Sequence, residues 1–438
     1  MEIRNAVIVD GVRSPFGRAV RGKLVATRLD ELGGKVIREL LDRNPKVDDY
    51  MVEDVGLGNV LGNAEFVDMG RVARMAGLPP ETSTFNSNRQ CGSSMETLHR
   101  IAQAIMIGTI DCGIALGAER MARTIPGDEG PFTRITEPTP IEFTKAQRDM
   151  APDHSDHFSV PFPDFILDSP PKVSMLQTAQ NVAEVYGLSR SDLDEYAVPS
   201  HQKAAAAYEA GRFNDEIVAI EVEQPVFDDQ GSWLPDEIGP TITFDQDECI
   251  RPGTNFEALM NLNPIPGVVS YGGNDIVITP GNSSPTNDGV SAILVMSEEK
   301  ALALGLEPLA RIVGFGVAGV KPQLMGLGPV PATNKAMKYA GLTMDQIDRV
   351  EFNEAFAAQI IPSARELGIP MEKLNVNGGA LAIGHPLGAT GGRLVLSLAH
   401  ELRRSNSKYG LATQCLSLIH ISEPTRPRLL SYAVFCLK

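Results

Sequence analysis

The sequence predicts an α/β protein of more than one domain, on three observations. Apolar strand-like runs alternate with helical stripes along most of the chain, the order expected of a sheet covered by helices. The 438 residues exceed the usual size of one domain, roughly 100–200 residues. At 43% hydrophobic composition the chain can bury a large core, which excludes wholesale disorder.

Taken in order, Ala6–Val9 is a short apolar run closed by Asp10 and Gly11, the pattern of a buried strand. Leu29, Leu32, Val36, Ile37, Leu40 and Leu41 then share one helical face. Val55–Val60 reads as a second strand before a glycine-punctuated loop. Met95, Leu98, Ala102, Ile105 and Met106 form another helical stripe, followed by a strand at Cys112–Gly117. Near Ala122 the texture changes to a polar, proline-dotted stretch reaching about Asp168. Helical segments follow near Thr178–Tyr186 and Ser191–Gly211, so this region reads as an insertion or lid. Strand-like text returns at Asp275–Thr279 and Val290–Met296, and a fresh α/β half begins near Pro308. The second half echoes the first, because Cys91-Gly-Ser-Ser and Ala389-Thr-Gly-Gly each open a helix with a strand some 20 residues on, at Asp111 and Lys408.

Charge and cysteine content narrow the function classes. Lys plus Arg total 39 against 55 Asp plus Glu, a formal charge of −16. That balance excludes a nucleic-acid binder or a polybasic membrane sticker, while leaving room for a local basic pocket. The five cysteines, Cys91, Cys112, Cys249, Cys415 and Cys436, are scattered without a C-x-x-C pair. A disulfide framework or zinc ribbon is therefore not expected. The first ten residues lack a signal pattern, and no apolar run approaches the ~20 residues of a membrane span. The expected location is cytoplasmic.

Four segments carry residues suited to chemistry. Asn88-Arg-Gln-Cys91-Gly-Ser-Ser-Met95 places a thiol at a turn into a helix, where free N–H groups favour a thiolate nucleophile. The same segment is also compatible with a buried structural cysteine. Asn377-Gly-Gly-Ala-Leu-Ala-Ile-Gly-His385-Pro-Leu-Gly-Ala-Thr-Gly-Gly392 surrounds one histidine with glycines and lacks the G-K-[S/T] of a phosphate loop. Among the chain's histidines, His385 has the local architecture of a general base. Cys415 ends an apolar strand, where its side chain would emerge at the carboxyl edge of a sheet. Glu351-Phe-Asn353-Glu354-Ala-Phe-Ala-Ala-Gln359 sets a polar pair inside an apolar strand-to-helix passage, which calls for hydrogen-bonded partners. Asp153-His-Ser-Asp-His157 has metal-ligand residue types but no second cluster to complete a site, so no metal is assigned.

The segments around Cys91, Asn353, His385 and Cys415 resemble the signature blocks of the thiolases, in the expected order. Supporting matches are Gly281-Asn-Ser-Ser-Pro-Thr-Asn-Asp-Gly289, Asp247-Glu-Cys-Ile-Arg251 and Gly211-Arg-Phe-Asn-Asp-Glu-Ile217, and the similarity runs from Ile3 to Cys415. The resemblance implies a thiolase fold, five layers α-β-α-β-α built from two similar halves with an inserted loop domain. Residues 1–121 and 251–300 would form the N-terminal half, 122–250 the loop domain and 301–415 the C-terminal half. It also implies roles: Cys91 as acyl-accepting nucleophile, His385 as its activator, Cys415 as second acid/base and Asn353 as holder of an oxyanion-site water. Ser284, Arg251 and Met175 match positions that contact coenzyme A. Coenzyme A and acyl-CoA are then substrates, with no permanently bound cofactor. The Cys-Gly-Ser-Ser-Met block leans toward degradative 3-ketoacyl-CoA thiolases rather than biosynthetic acetoacetyl-CoA thiolases. Relatives of this kind are commonly homodimers or homotetramers, and some work with a hydratase–dehydrogenase subunit. A ketoacyl synthase of the same fold is disfavoured by Cys415 and the Asn-Glu-Ala-Phe block.

The pattern breaks after Cys415. Thiolases usually continue with a glycine-rich turn of the kind C-x-G-G-G-x-G and a final core strand, whereas residues 416–438 contain no glycine. This tail looks foreign to the family and resembles the translated read-through of a sequencing adapter, so it is read as an artefact. On that reading Ser417 occupies an oxyanion-site glycine position, and the last strand is lost, exposing a sheet edge. A thiolase-like protein that binds acyl-CoA without turnover is then an alternative. A milder reading lets the apolar run Leu429–Leu437 supply the strand.

Overall fold

The computed structural model describes residues 3–61, 69–122, 157–167, 169, 174–415 and, as backbone, 431–437. The first half runs through β1 (Ala6–Arg13), a short β2 (Gly17–Arg18), α1 (Leu29–Asp42), β3 (Asp54–Gly58), α2 (Met69–Met75), β4 (Ser83–Ser87), α3 (Ser93–Met106) and β5 (Cys112–Arg120). Helix α1 forms where the sequence places its apolar stripe. Leu29, Leu32, Val36, Ile37, Leu40 and Leu41 are all buried, and Asp30 and Glu31 favour the positive end of its first turn. Much further along the chain, β8 (Asn287–Ser297) returns to this sheet, antiparallel to both β5 and β1.

The second half repeats the plan. β9 (Ala310–Ala318) is followed by a helix at Pro329–Ala340, β10 (Arg349–Phe352), a helix at Ala357–Leu367, a helix at Leu387–Arg404 and β11 (Gly410–Gln414). The first and second of these helices end on Gly341 and Gly368, both left-handed, which stops each helix cleanly. The strand order is β10-β11-β12-β9-β1-β8-β5-β3-β4, with β12 at Ser431–Leu437. β3 and β5 are parallel, as are β10 and β11. The two half-sheets are joined by the pairing of Val7 with Arg311 and of Ile8 with Ala310.

Three packed cores set the layers. One joins α1 and α2 to the outer face of the first half-sheet. A second places Met95, Leu98 and Ile101 of α3 against Leu394, Val395 and Leu398 of the 387–404 helix, with both half-sheets packed around them. The third packs the helices 329–340 and 357–367 against Val350, Phe352 and Leu411 of the second half-sheet. Helix, sheet, helix, sheet, helix is the five-layer α-β-α-β-α order that the resemblance implies. The 387–404 helix is buried from Gly388 to Leu402, as a middle layer must be.

The inserted region contributes helices at Met175–Val185 and Arg190–Glu209 and a two-stranded hairpin, β6 (Ile220–Phe227) with β7 (Trp233–Phe244). Ser174 and Ser189 cap the two helices with their side chains. Among the described residues, no helix is long and apolar enough to cross a membrane.

Two expectations need correction. Asp275–Thr279 is not a strand. Its polar backbone is satisfied by side chains and loop contacts instead: Val277 N donates to Gln180 Oε1 at 3.0 Å, Val277 O accepts from Asn282 Nδ2 at 3.0 Å, and Ile278 O accepts from Ile265 N at 2.9 Å. An apolar run of this length marks burial, not necessarily a ladder. The expected open edge after β11 is also absent. The backbone of β12 pairs antiparallel with β11 on one side and β9 on the other. β12 lies between β9 and β11, in the slot that β8 fills between β1 and β5 in the first half.

Candidate active site

Two turns into the middle-layer helices come together here: the Cys91 turn follows strand β4, whereas the His385 turn follows a short helix, Ala380–Ile383, and not a strand. The first holds Cys91. Asn88 Oδ1 accepts from Gln90 N at 3.0 Å, while Ser93 Oγ accepts from Arg89 N at 2.9 Å and donates to Gln90 O at 2.6 Å. These bonds hold Gln90 at φ +50°, a left-handed conformation uncommon outside glycine, and set the thiol immediately before α3. Cys91 is 4% exposed.

The second turn holds His385. Gly384 adopts φ +115°, a region only glycine enters readily, and a side chain there would lie 2.7 Å from the amide of Asn287. That close approach lets Asn287 Oδ1 accept from His385 N at 2.9 Å, while Asn287 Nδ2 donates to Gly17 O at 3.0 Å. The imidazole Nδ1 lies 2.7 Å from Thr390 Oγ1, and that hydroxyl already donates to Pro386 O at 2.8 Å. A hydroxyl has one proton, so Thr390 accepts and Nδ1 carries the hydrogen. The lone pair is thereby left on Nε2, 3.4 Å from Asn353 Nδ2. Burial, then the nearby Arg393 guanidinium, push His385 down to about 3, so the ring is neutral.

Asn353 and Cys415 come from the carboxyl ends of the adjacent parallel strands β10 and β11, where open α/β folds hold ligands. Asn353 N donates to Thr413 O at 2.9 Å, and Asn353 Oδ1 has no hydrogen-bond partner among the described residues. Cys415 is 1% exposed, and its thiol donates to Gln359 Oε1 at 3.1 Å. Burial and then the charge of Cys91 push this thiol well above its ordinary range. The site therefore offers a proton acceptor at His385 Nε2, a protonated thiol at Cys415 and a second thiol at a helix start. Such a set can form a thioester and move one proton.

The remaining sequence-predicted residues sit further out. Ser284 is half-buried, and its N donates to Ala355 O at 2.9 Å, beside the Asn353 segment. Met175 is partly buried at the start of its helix and packs on the core of the second half. Arg251 is exposed, its N donating to His201 Nδ1 at 3.2 Å. Asp153–Asp156 of the metal-like cluster lie outside the described residues, and no group of three or more metal-ligating side chains occurs among the described ones.

Sequence reasoning missed four supporting residues. Thr390 fixes the tautomer of His385, and Asn287 fixes its backbone. Glu354 was noted only as half of a polar pair. It accepts from Tyr196, Ser200, Asn375 and Leu381 N at 2.6–3.1 Å, which ties the helix 190–209 to the second half. Buried Glu119 accepts from Val60, Leu61 and Gly388 N and from Asn59, so it holds the turn after His385; burial raises it to about 7. Only Thr390 had a usable signal, a hydroxyl five residues after a histidine in a glycine-rich turn.

The chain matches the sequence profile of "Thiolase, N-terminal domain" over residues 6–299 and that of "Thiolase, C-terminal domain" over residues 306–420. It is 40% identical to a 3-ketoacyl-CoA thiolase of Bacillus subtilis, across 94% of this chain and 97% of that protein. It is also 40% identical to a 3-oxoadipyl-CoA/3-oxo-5,6-dehydrosuberyl-CoA thiolase of Escherichia coli, across 95% and 97%. Among solved structures it is similar to human mitochondrial 3-ketoacyl-CoA thiolase in complex with CoA, with a TM-score of 0.78, 32% identity and coverage of 99% and 98%.

Proposed function

The chain belongs to the thiolase family of acyltransferases, and from that premise we propose that it is an acetyl-CoA C-acyltransferase that cleaves 3-ketoacyl-CoA in fatty-acid β-oxidation. The observation that supports this reading is the meeting of His385 Nε2 with Asn353 Nδ2 at 3.4 Å, with Asn353 and the buried Cys415 at the ends of adjacent parallel strands.

The reaction follows from that geometry. His385 Nε2 takes the Cys91 proton, and the thiolate attacks the 3-keto carbon. The C2–C3 bond then breaks, leaving an acyl thioester on Cys91 and a carbanion equivalent at C2. Cys415 gives its S–H proton to C2 and acetyl-CoA departs. In the second half-reaction the incoming CoA thiol passes its proton to the Cys415 thiolate and attacks the thioester, and His385 returns its proton to Cys91. Atoms and charge balance, and the two steps give ping-pong kinetics. Asn353, through its Nδ2 donor, supports an oxyanion site together with His385. One such donor is worth about 3–4 kcal/mol. Polyanionic CoA is met by Arg251, with Ser284 and Met175 along the pantetheine.

Incubation with acetyl-CoA should add one acetyl group, on Cys91, by mass spectrometry. Labelling elsewhere, or none, refutes the assignment. Thiolysis of a panel from acetoacetyl-CoA through long-chain 3-ketoacyl-CoAs, with 3-oxoadipyl-CoA included, separates β-oxidation from biosynthetic and dicarboxylyl-CoA roles. Light scattering tests the proposed homodimer or homotetramer, and co-purification tests a hydratase–dehydrogenase partner in the cytoplasm.

A second reading rests on the glycine-free tail. If residues 416–438 are foreign, the oxyanion site is incomplete and the chain binds acyl-CoA without thiolysis. Resequencing the gene across the Cys415 codon decides the origin of the tail. Clean recovery of the same residues would overturn the artefact reading.

A further inference from the structure

Gln359 sits in the first turn of the helix 357–367 and is fully buried. Its Oε1 accepts the Cys415 thiol at 3.1 Å, whereas its Nε2 has no hydrogen-bond partner among the described residues. Leaving a buried N–H unpaired is costly, and an apolar side chain of similar size would fill the same space without that cost. Gly326 faces the stem of this side chain: a Cβ there would lie 3.1 Å from both Cβ and Cγ of Gln359. The stem is therefore closely held, and the amide is presented to the sulfur.

An amide is the side chain that can answer a group changing its protonation state, since it has an acceptor on one edge and donors on the other. We propose that Gln359 is the positioning residue for Cys415, accepting from its thiol before proton transfer and, with the amide turned over, donating to the thiolate left behind. The inference rests on the acid/base role assigned to Cys415 above. As the S–H bond breaks and the C–H bond at C2 forms, the sulfur changes from donor to acceptor, and the unpaired Nε2–H becomes its partner. The effect opposes the burial and the Cys91 charge that hold the thiol protonated.

The test uses the full chain with Gln359→Leu and Gln359→Met, and two readouts. The end-point stoichiometry of Cys91 acetylation by acetyl-CoA reports an intact fold and nucleophile; its rate does not, because Cys415 also passes a proton to the departing CoA. Exchange of the acetyl α-protons of acetyl-CoA in D2O reports Cys415. Both variants should keep stoichiometric acetylation, lose at least tenfold in α-proton exchange, and move the rise of exchange with pH upward by about one unit, as expected when a thiolate loses a donor. Gln359→Glu, which keeps an acceptor but loses the donor, should not rescue. Exchange within twofold of wild type overturns the proposal. So does joint loss of acetylation and exchange in both apolar variants, which would make the role purely structural. Failure of the wild-type chain to acetylate at Cys91 would instead refute the enzymatic reading beneath it.

Discussion

Gly384→Ala is the substitution whose consequences the structure defines most fully. Alanine at φ +115° is strained by about 1–3 kcal/mol. Its Cβ would also sit 2.7 Å from Cγ, Nδ2 and Oδ1 of Asn287. Asn287 is buried and bonded to His385 N and Gly17 O, so moving it strands a buried polar group, at a further cost of about 1–3 kcal/mol. The expected loss is about 2–6 kcal/mol in urea unfolding. Because His385 is carried on this turn, a shift of ~1 Å should also lower kcat for thiolysis by about 100-fold. Gly187→Ala is the control: φ is +60° but nothing lies within 4 Å of the added Cβ, so only conformational strain of about 1–2 kcal/mol applies. If Gly384→Ala costs no more than Gly187→Ala and leaves kcat within twofold, the argument that close packing on Asn287 positions the histidine is wrong.

Thr390→Val keeps the shape of the side chain but leaves His385 Nδ1–H unpaired, releasing the tautomer; kcat should fall by roughly 10–100-fold, corresponding to about 1–3 kcal/mol, with KM little changed in steady-state assays. Burial holds His385 down at about 3 in the folded chain against an ordinary value of 6.5, so the unfolded chain binds the extra proton between those values. Stability is therefore lost as pH falls from 6.5 toward 3. The slope approaches about 1.4 kcal/mol per pH unit from this residue alone. In urea titrations at pH 6 and pH 5, His385→Asn should flatten the slope by that order, and equal slopes would contradict neutral burial. Deleting residues 431–437 removes a strand paired on both sides, leaving the β9 and β11 edges open. The shortened chain should unfold at lower urea or aggregate in light scattering, and unchanged behaviour would show that β12 adds nothing.

The sequence by itself determined the local periods and the turns. The α1 stripe, the alternation of strand and helix, and the placement of Cys91 and His385 at turns into helices follow from spacing and from glycine, although the element before His385 is a short helix and not a strand. These are near-neighbour properties, written in residues a few positions apart. It could not decide Asp275–Thr279, because an apolar run is read the same way whether its backbone joins a ladder or is satisfied by Gln180 and Asn282. Nor could it decide the tail strand, since pairing of β12 depends on two edges, β9 and β11, far from it in the chain. The tertiary structure alone assigned the His385 proton to Nδ1, set Glu354 as the clamp on the loop domain, and put the unpaired amide of Gln359 against Cys415. Each depends on which buried donor meets which acceptor, and that is fixed only when distant segments pack.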